Sequence, residues 1–246
     1  MRVFSADLHI HTVLSPCGDL DMSPLRIISE AAGKGLDIIA VTDHNHTGHA
    51  RLTREIGARK GVWVVYGAEV NTREEVHCLT FFDTDHQLEL FQEQLDRFQP
   101  LMPNDSGLFG AQLIVDEQER ILREVGPSLY PGLELGISEL SDLVHELEGL
   151  FVPAHVDRPM NGLYAQLGFF PDQLDADAVE IHRKADPGEM RTRHPELNRF
   201  QLMKNSDAHY PADIGRSYNF LTMDQCSFAE FAMALRGKNG RKVQPV

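Results

Sequence analysis

Histidines and carboxylates recur in this chain at short spacings that suit metal binding. His9 and His11 are two residues apart at the end of an apolar run, and Asp207 and His209 repeat that spacing near the other end. Residues i and i+2 of a β-strand point to the same side, so each pair is expected to converge on one point. Imidazole nitrogens and carboxylate oxygens are ligands for Zn²⁺, Mn²⁺ and Fe²⁺. The spacing therefore predicts a divalent-metal site.

The complete set of candidate ligands is too large for a single ion. Its members are His9, His11, Asp19, His44, Glu69, His77, His155, Asp207 and His209. One catalytic ion with an open position takes about three protein ligands. The set therefore predicts two or three ions of Zn²⁺, Mn²⁺ or Fe²⁺, with Mg²⁺ also allowed. Asp21 is an alternative to Asp19, and His86 is an alternative to His77.

These residues need a scaffold that brings distant segments together. Short apolar runs alternate with helical stretches, which is typical of a parallel α/β architecture. Strands are predicted at 3–9, 37–42, 61–68, 76–82, 150–154, 178–181 and 201–205, and helices at 24–34, 48–59 and 227–236. Most candidate ligands fall at the carboxyl ends of these strands, which is where α/β barrels build their active sites. We therefore expect a barrel.

The stretch from residue 87 to residue 149 departs from this alternation. It has helical patterns at 88–98, 116–124 and 138–147, with segments rich in Pro and Gly between them. We therefore predict a barrel formed by residues 1–86 and 150–246, and a helical insertion or cap formed by residues 87–149.

Five motifs, in this order, resemble those of the polymerase and histidinol phosphatase (PHP) superfamily. They are DLHIHT at 7–12, TDHN at 42–45, GAE at 67–69, PAH at 153–155 and SDAH at 206–209. The resemblance implies a distorted seven-stranded (βα)7 barrel with an inserted helical subdomain, a trinuclear metal site and hydrolysis of phosphate esters. It implies one ion held by His9, His11 and Asp207, a second reached through bridging Glu69 and held by His77 and His155, and a third held by Asp19, His44 and His209.

Other residues are expected to act around the ions. A metal-activated water would attack phosphorus, and the ions would neutralise charge on the phosphoryl oxygens. Three arginines follow predicted strands and are candidates to bind phosphate oxygens in pairs: Arg158, Arg183 and Arg216.

The residues expected to take part in catalysis are His9, Asp207, His209 and Asp43. Asp43 is expected either to orient His44 or to cap the next helix. His46 and His49 are expected in a solvated loop and at a helix start.

The composition limits the partners and the location. Three widely spaced cysteines, Cys17, Cys78 and Cys226, form no CxxC pair, which argues against a disulfide framework. The first residues do not resemble a secretory signal, and no apolar run is long enough to cross a membrane. These features and the cysteine pattern favour a cytoplasmic protein without membrane contact. The formal charge of −14 argues against extended duplex nucleic acid, because binding a polyanion depends on basic groups. The expected partner is a small phosphorylated substrate, including a nucleotide or an oligonucleotide end; the oligomeric state stays open.

Two other functions fit parts of this pattern. An amidohydrolase that cleaves C–N bonds also carries an HxH motif on its first barrel strand, but it usually has a bridging lysine where this chain has Glu69. A non-catalytic, metal-stabilised accessory domain is the second alternative, and the completeness of the ligand set argues against it.

Overall fold

The computed structural model describes residues 1–246 and is an α/β structure. Its strands are β1 (Arg2–Ile10), β2 (Ile38–Val41), β3 (Trp63–Asn71), β4 (His77–Phe82), β5 (Leu113–Val115), β6 (Ile121–Glu124), β7 (Leu150–Pro153), β8 (Val179–Glu180), β9 (Leu202–Met203), β10 (Asn219–Met223) and β11 (Lys242–Pro245). Its helices are α1 (Pro24–Gly33), α2 (Ala50–Lys60), α3 (Asp85–Phe98), α4 (Ser106–Phe109), α5 (Ile137–Glu146), α6 (Leu163–Leu167), α7 (Pro187–Arg193) and α8 (Phe228–Leu235). None of these helices has both the length and the apolar character that crossing a membrane requires.

A curled seven-stranded sheet organises the fold, in the order β11-β10-β1-β2-β3-β4-β7. Strands β1, β2 and β3 are parallel, whereas β4 is antiparallel to both β3 and β7. Strands β8 and β9 form a separate parallel pair. This pair is joined to β7 where Asp177 N donates to Phe151 O, and the segment after β9 is joined to the end of β1 where His11 N donates to Ala208 O. The predicted α/β class is confirmed, but strands β4 and β10 run opposite to the other strands of the sheet and so depart from a uniform series of βα units.

Both faces of the central strands are covered. In β2, Ile38 and Ala40 contribute to one apolar cluster while Ile39 and Val41 contribute to another. Continuous burial of this kind is expected for parallel strands packed against other elements on each side. The polar ligand candidates therefore lie where strands end rather than within the apolar layers.

The predicted insertion contains the main error in the element assignment. Helices α3 and α5 are present and place Phe91 and Leu140 in the larger apolar cluster. No helix forms at 116–124, where β5 and β6 make a hairpin. Asp116 explains the difference, because its Oδ1 accepts hydrogen bonds from the backbone N–H groups of Gln118 and Arg120 at 2.9 and 3.0 Å. Such local bonds compete with a helix and favour a turn.

Two buried side chains attach this segment to the sheet. Asn45 Nδ2 donates to two carbonyl oxygens within residues 129–131, both at 3.0 Å. His49 Nε2 accepts a hydrogen bond from Val115 N at 3.0 Å. The prediction that His46 and His49 lie in a solvated environment is therefore wrong. Both side chains are buried, because the segment 113–131 covers the start of α2.

Candidate metal centre

Glu69, near the end of β3, lies at the centre of a cluster of imidazoles. Both of its oxygens are buried, and each lies within 3.3 Å of at least two imidazole nitrogens. The five distances are 3.2 Å to His9, 3.3 Å to His11, 3.0 Å to His44, 2.9 Å to His77 and 3.0 Å to His155. Asp207 Oδ1 joins the cluster, 3.3 Å from His11 Nε2 and 3.5 Å from His9 Nε2. The structure thus brings these predicted ligands, from distant parts of the chain, to one place.

The backbone turns sharply where two of these residues leave their strands. Asp207 and His155 have φ values of 51° and 28°, a left-handed conformation that costs a residue with a Cβ about 1–3 kcal/mol. Asp7 holds the first of these turns, since its Oδ2 accepts from Ser206 Oγ at 2.6 Å and from Gly215 N at 2.8 Å. Burial raises the pKa of Asp7 to about 6 despite these bonds. The strain and the buried carboxylate both serve to position Asp207.

The protons on the first two histidines point away from Glu69. His9 Nδ1 lies 3.1 and 3.2 Å from the Glu180 carboxylate oxygens, so this nitrogen carries the proton. His11 Nδ1 donates to Ser15 Oγ at 3.0 Å, and that hydroxyl donates to Asp43 Oδ1 at 2.7 Å. The two Nε2 atoms are then bare lone pairs only 3.2 Å apart. Two lone pairs facing each other in a buried site repel, and a divalent cation beside them would remove this repulsion.

Two further buried atoms also lack partners. Glu69 Oε2 and His155 Nδ1 make no hydrogen bond of acceptable geometry. Burying such atoms unpaired is costly, and an ion is one explanation of the cost. Burial acts to raise the pKa of Glu69, but the imidazoles of His77, His9 and His44 hold this pKa well below its usual value. The carboxylate is therefore ionised, and the donor set fits divalent cations.

Asp19 does not belong to this cluster. Its Oδ1 accepts a hydrogen bond from Asp21 N at 2.9 Å, which closes a local turn, and it is absent from the groups of close ligand atoms. The alternative residues also lie elsewhere, since Asp21 and His86 are exposed. Asp19 is placed outside the cluster because the loop conformation, not the residue type, decides which side chain points inward.

Cys17 occupies the position expected for Asp19. Its Sγ lies within 4.8 Å of a ring nitrogen of each of His11, His44 and His209. Burial acts to raise the pKa of the Cys17 thiol, but the neighbouring His44 charge and hydrogen bonds from His209 and His44 lower it to about 5. From the sequence, Cys17 was weighed only as a disulfide partner. Its position between His11 and Asp19 could have identified it as a candidate metal ligand.

Asp43 acts on His11 rather than on His44. Its Oδ1 accepts from Thr12 N and Ser15 Oγ, both at 2.7 Å, and its Oδ2 accepts from Thr12 Oγ1 at 2.8 Å. These bonds use the carboxylate fully and place it behind the imidazoles. This placement favours the expected orienting role of Asp43, exerted on His11 through Ser15.

Glu180 is a functional residue that the sequence analysis missed. Besides its contact with His9, its Oε2 accepts from His155 N at 2.9 Å and its Oε1 accepts from Asn205 Nδ2 at 2.7 Å. A carboxylate inside the apolar strand 178–181 was the available signal. A carboxylate behind a ligating histidine fixes its tautomer and raises its basicity.

We expect Glu180→Gln to weaken divalent-metal binding by about 10- to 100-fold, since an amide accepts the His9 proton less strongly. Competition with a coloured chelator measures this affinity. Glu196→Gln is the matched control, because Glu196 also faces a histidine, His194, at 3.6 Å but lies away from the cluster. Equal metal affinity in Glu180→Gln and the wild type would remove the assigned positioning role.

A cavity of about 560 Å³ opens onto the cluster. Ligand candidates form its floor, and residues of the predicted insertion, Met102, Phe109, Tyr130, Pro131 and Gly132, form part of its wall. Arg158 also lines it and donates from Nη1 to Asp207 Oδ2 at 2.7 Å. Arg183 and Arg216 lie outside the cavity lining, and Arg216 pairs with Asp213. Only Arg158 among the three expected arginines is placed beside the cluster.

The α/β fold carries a histidine-rich candidate metal centre where its strands end. Residues 7–123 match the PHP domain model, as the motifs in this region predicted.

Similar proteins cover different parts of the chain. The uncharacterized protein YqxK of Bacillus subtilis is 27% identical over 99% of this chain and 64% of its own length. The phosphoribosyl 1,2-cyclic phosphate 1,2-diphosphodiesterase of Eggerthella lenta is 37% identical over 30% of this chain and 29% of its own length. The lesion-specific endonuclease PfuEndoQ from Pyrococcus furiosus shares the fold with a TM-score of 0.78 and 24% identity. That match covers 98% of this chain but 58% of the endonuclease, so this chain spans somewhat under two thirds of YqxK and of PfuEndoQ.

The expectation that excluded extended duplex nucleic acid is wrong. A structure of Endonuclease Q that contains a 27-mer duplex, with an abasic lesion at the active site, matches 98% of this chain with a TM-score of 0.74 and 22% identity. The net charge of −14 misled because affinity for a polyanion depends on the local field at the contact surface, not on the sum over the chain. Bound divalent ions also add positive charge where a phosphate would lie.

Proposed function

We propose that this chain hydrolyses phosphate esters at a cluster of two or three divalent ions. The observation that carries the proposal is the convergence of five imidazoles on Glu69 beside Arg158, at the floor of an open cavity. Ligands of this type and number match a multinuclear centre. The match of residues 7–123 to the PHP domain model supports the same chemistry.

The proposed ligands divide into three groups. His9, His11 and Asp207 would hold one ion, Glu69, His77 and His155 would hold a second, and His44 and His209 would contribute to a third. Such ions would supply a water of lowered pKa and would neutralise charge on the phosphoryl oxygens.

Arg158 has the best position to hold the phosphoryl group. One guanidinium nitrogen is engaged with Asp207, which leaves other N–H groups free to donate into the cavity. Its side chain is 36% exposed, so it reaches both the buried cluster and an entering substrate. The other residues that line the cavity would orient the ester and restrict the access of water.

The cavity wall favours an ester with an aromatic or nucleobase group. The rings of Phe109 and Tyr130 lie 5.7 Å apart, and the Tyr130 ring lies 6.5 Å from that of His44. Met102 and Met160 add apolar surface, exposed by 43% and 70%. Aromatic side chains of this kind stack on bases without strong sequence preference. We therefore propose nucleotides or nucleic-acid phosphodiesters as the substrate class, and the structure of Endonuclease Q with a duplex supports including double strands.

The test is a hydrolysis screen of the metal-free protein reloaded separately with Zn²⁺, Mn²⁺ or Mg²⁺. The panel contains aryl phosphate mono- and diesters, nucleotides, sugar phosphates, single strands, and duplexes with or without an abasic site. Aryl amides and lactones test the C–N hydrolase alternative. We expect turnover of phosphate esters that chelation abolishes. Turnover of amides or lactones alone, or no turnover while chelation lowers the melting temperature, would contradict the proposal and favour the amidohydrolase or the accessory domain.

A further inference from the structure

Cys17 is held rigidly at the cluster by the loop that follows β1. The N–H of Gly18 donates to Ser15 O at 2.8 Å, and the N–H of Asp19 donates to His209 O at 2.9 Å. A Cβ at position 18 would lie 2.2 Å from Thr12 O, so only glycine permits this close turn. The backbone on the C-terminal side of Cys17 is thus tied both to the β1 loop and to the His209 segment.

Two neighbours of Cys17 use their Nδ1 atoms on other groups. His11 uses its Nδ1 proton on Ser15, and His209 donates its Nδ1 proton to Asp207 O at 2.8 Å. The Nε2 atoms of both rings are then free to bind a cation. Glu69 Oε2, which is buried and unpartnered, lies 3.0 Å from His44 Nδ1 and 3.3 Å from His11 Nε2. This unpaired oxygen is an independent sign that a cation belongs among these groups.

We propose that the Cys17 thiolate is a ligand, with His44 and His209, of one divalent ion, and that it makes this position selective for thiophilic Zn²⁺ over Mn²⁺ or Mg²⁺. Thiolates are soft ligands that favour Zn²⁺, whereas Mn²⁺ and Mg²⁺ favour oxygen. Binding transfers the thiol proton to solvent and involves no change of oxidation state. The inference rests on the proposed metal cluster and adds a ligand to it. It also adds a preference for Zn²⁺, which a carboxylate at this position would not produce.

Cobalt substitution separates this assignment from the proposed function. Co²⁺ is titrated into the reduced, metal-free protein while its absorption is recorded. A Co²⁺ ion bound to a thiolate shows an intense near-ultraviolet charge-transfer band, and Co²⁺ in any site shows weaker visible bands. We expect both in the wild type, and we expect Cys17→Ser to lose the charge-transfer band while keeping visible bands from the other ions.

The chain offers two matched controls. Cys226 is exposed, and the buried Cys78 side chain belongs to the larger apolar cluster and to none of the groups of close ligand atoms, so Cys226→Ser and Cys78→Ala should keep the charge-transfer band. Visible bands without a charge-transfer band in the wild type, or a band that survives in Cys17→Ser, would overturn the ligand assignment and leave the proposed function standing. If Co²⁺ does not bind at all, both fail.

Competition between metals tests the selectivity. We expect Cys17→Asp to lower the ratio of Zn²⁺ to Mn²⁺ affinity by at least about tenfold. Loss of a residue that only hydrogen-bonds to a metal ligand already weakens metal binding by about 10- to 100-fold, so the exchange of a ligand should have at least the smaller of these effects. Circular dichroism of each metal-free variant checks that the fold is retained. An unchanged affinity ratio would refute the claim that Cys17 sets the metal preference.

Discussion

Glu69→Gln is expected to lower kcat for phosphate-ester hydrolysis by about 10³-fold or more. A site that loses an ion loses several kcal/mol of transition-state stabilisation, and a loss of that size slows the reaction by this factor. The amide keeps the shape of the side chain but loses the negative charge that faces five imidazoles at 2.9 to 3.3 Å. The variant should therefore bind fewer divalent ions per chain than the wild type.

Metal content by elemental analysis and kcat with an excess of metal are the two measurements for Glu69→Gln. Glu75→Gln is the control, because Glu75 lines the same cavity but is exposed and is not one of the clustered ligand groups. If Glu69→Gln retained full metal content and a kcat within tenfold of the wild type, Glu69 would not be the bridging ligand.

Arg158→Ala is expected to lower kcat/KM for phosphate esters by about 100-fold, comparable with the loss of one preorganised donor to a developing negative charge. Arg158→Lys should recover only part of this loss, because an ammonium group lacks the planar fork that binds two oxygens together. The effect should appear mainly in kcat if the guanidinium binds the transition state more tightly than the substrate.

Arg183→Ala and Arg216→Ala are the matched controls for this variant, since neither side chain lines the cavity. Their kcat/KM should stay close to that of the wild type. Arg158 also contacts Asp207, so metal content must be measured in Arg158→Ala. Full activity in Arg158→Ala, or an equal loss in either control, would withdraw the phosphate-binding role from Arg158.

Much of the site was predictable because its ligands follow local rules. His9 and His11 lie two residues apart at the end of a buried strand, and this alternation alone turns both rings to one side. Helix α1 was predicted for the same kind of reason: Ser23 accepts from Arg26 N at 3.1 Å and Pro24 begins the helix. In each case the residues that decide the structure are neighbours in sequence.

The incorrect assignments all depend on contacts between distant segments or on loop geometry. Asp19 and Cys17 are two residues apart, and the bond between Asp19 N and His209 O helps to place the loop in which Cys17 faces the ions. Glu180 became part of the site only because the β8–β9 pair lies beside β1 and β7. The hairpin at 113–124 replaced a predicted helix because Asp116 closes a turn there.

The α/β class and the match of residues 7–123 to the PHP domain model were predictable from the sequence alone, because strand periodicity and motif spacing depend on residues that are close along the chain. Only the tertiary structure decided which loop residue faces the cluster, which carboxylates hold the imidazoles, and which arginine lines the cavity. Those choices depend on backbone hydrogen bonds between segments nearly two hundred residues apart, such as Asp19 N to His209 O. One sequence pattern is compatible with several such pairings, and packing selects among them.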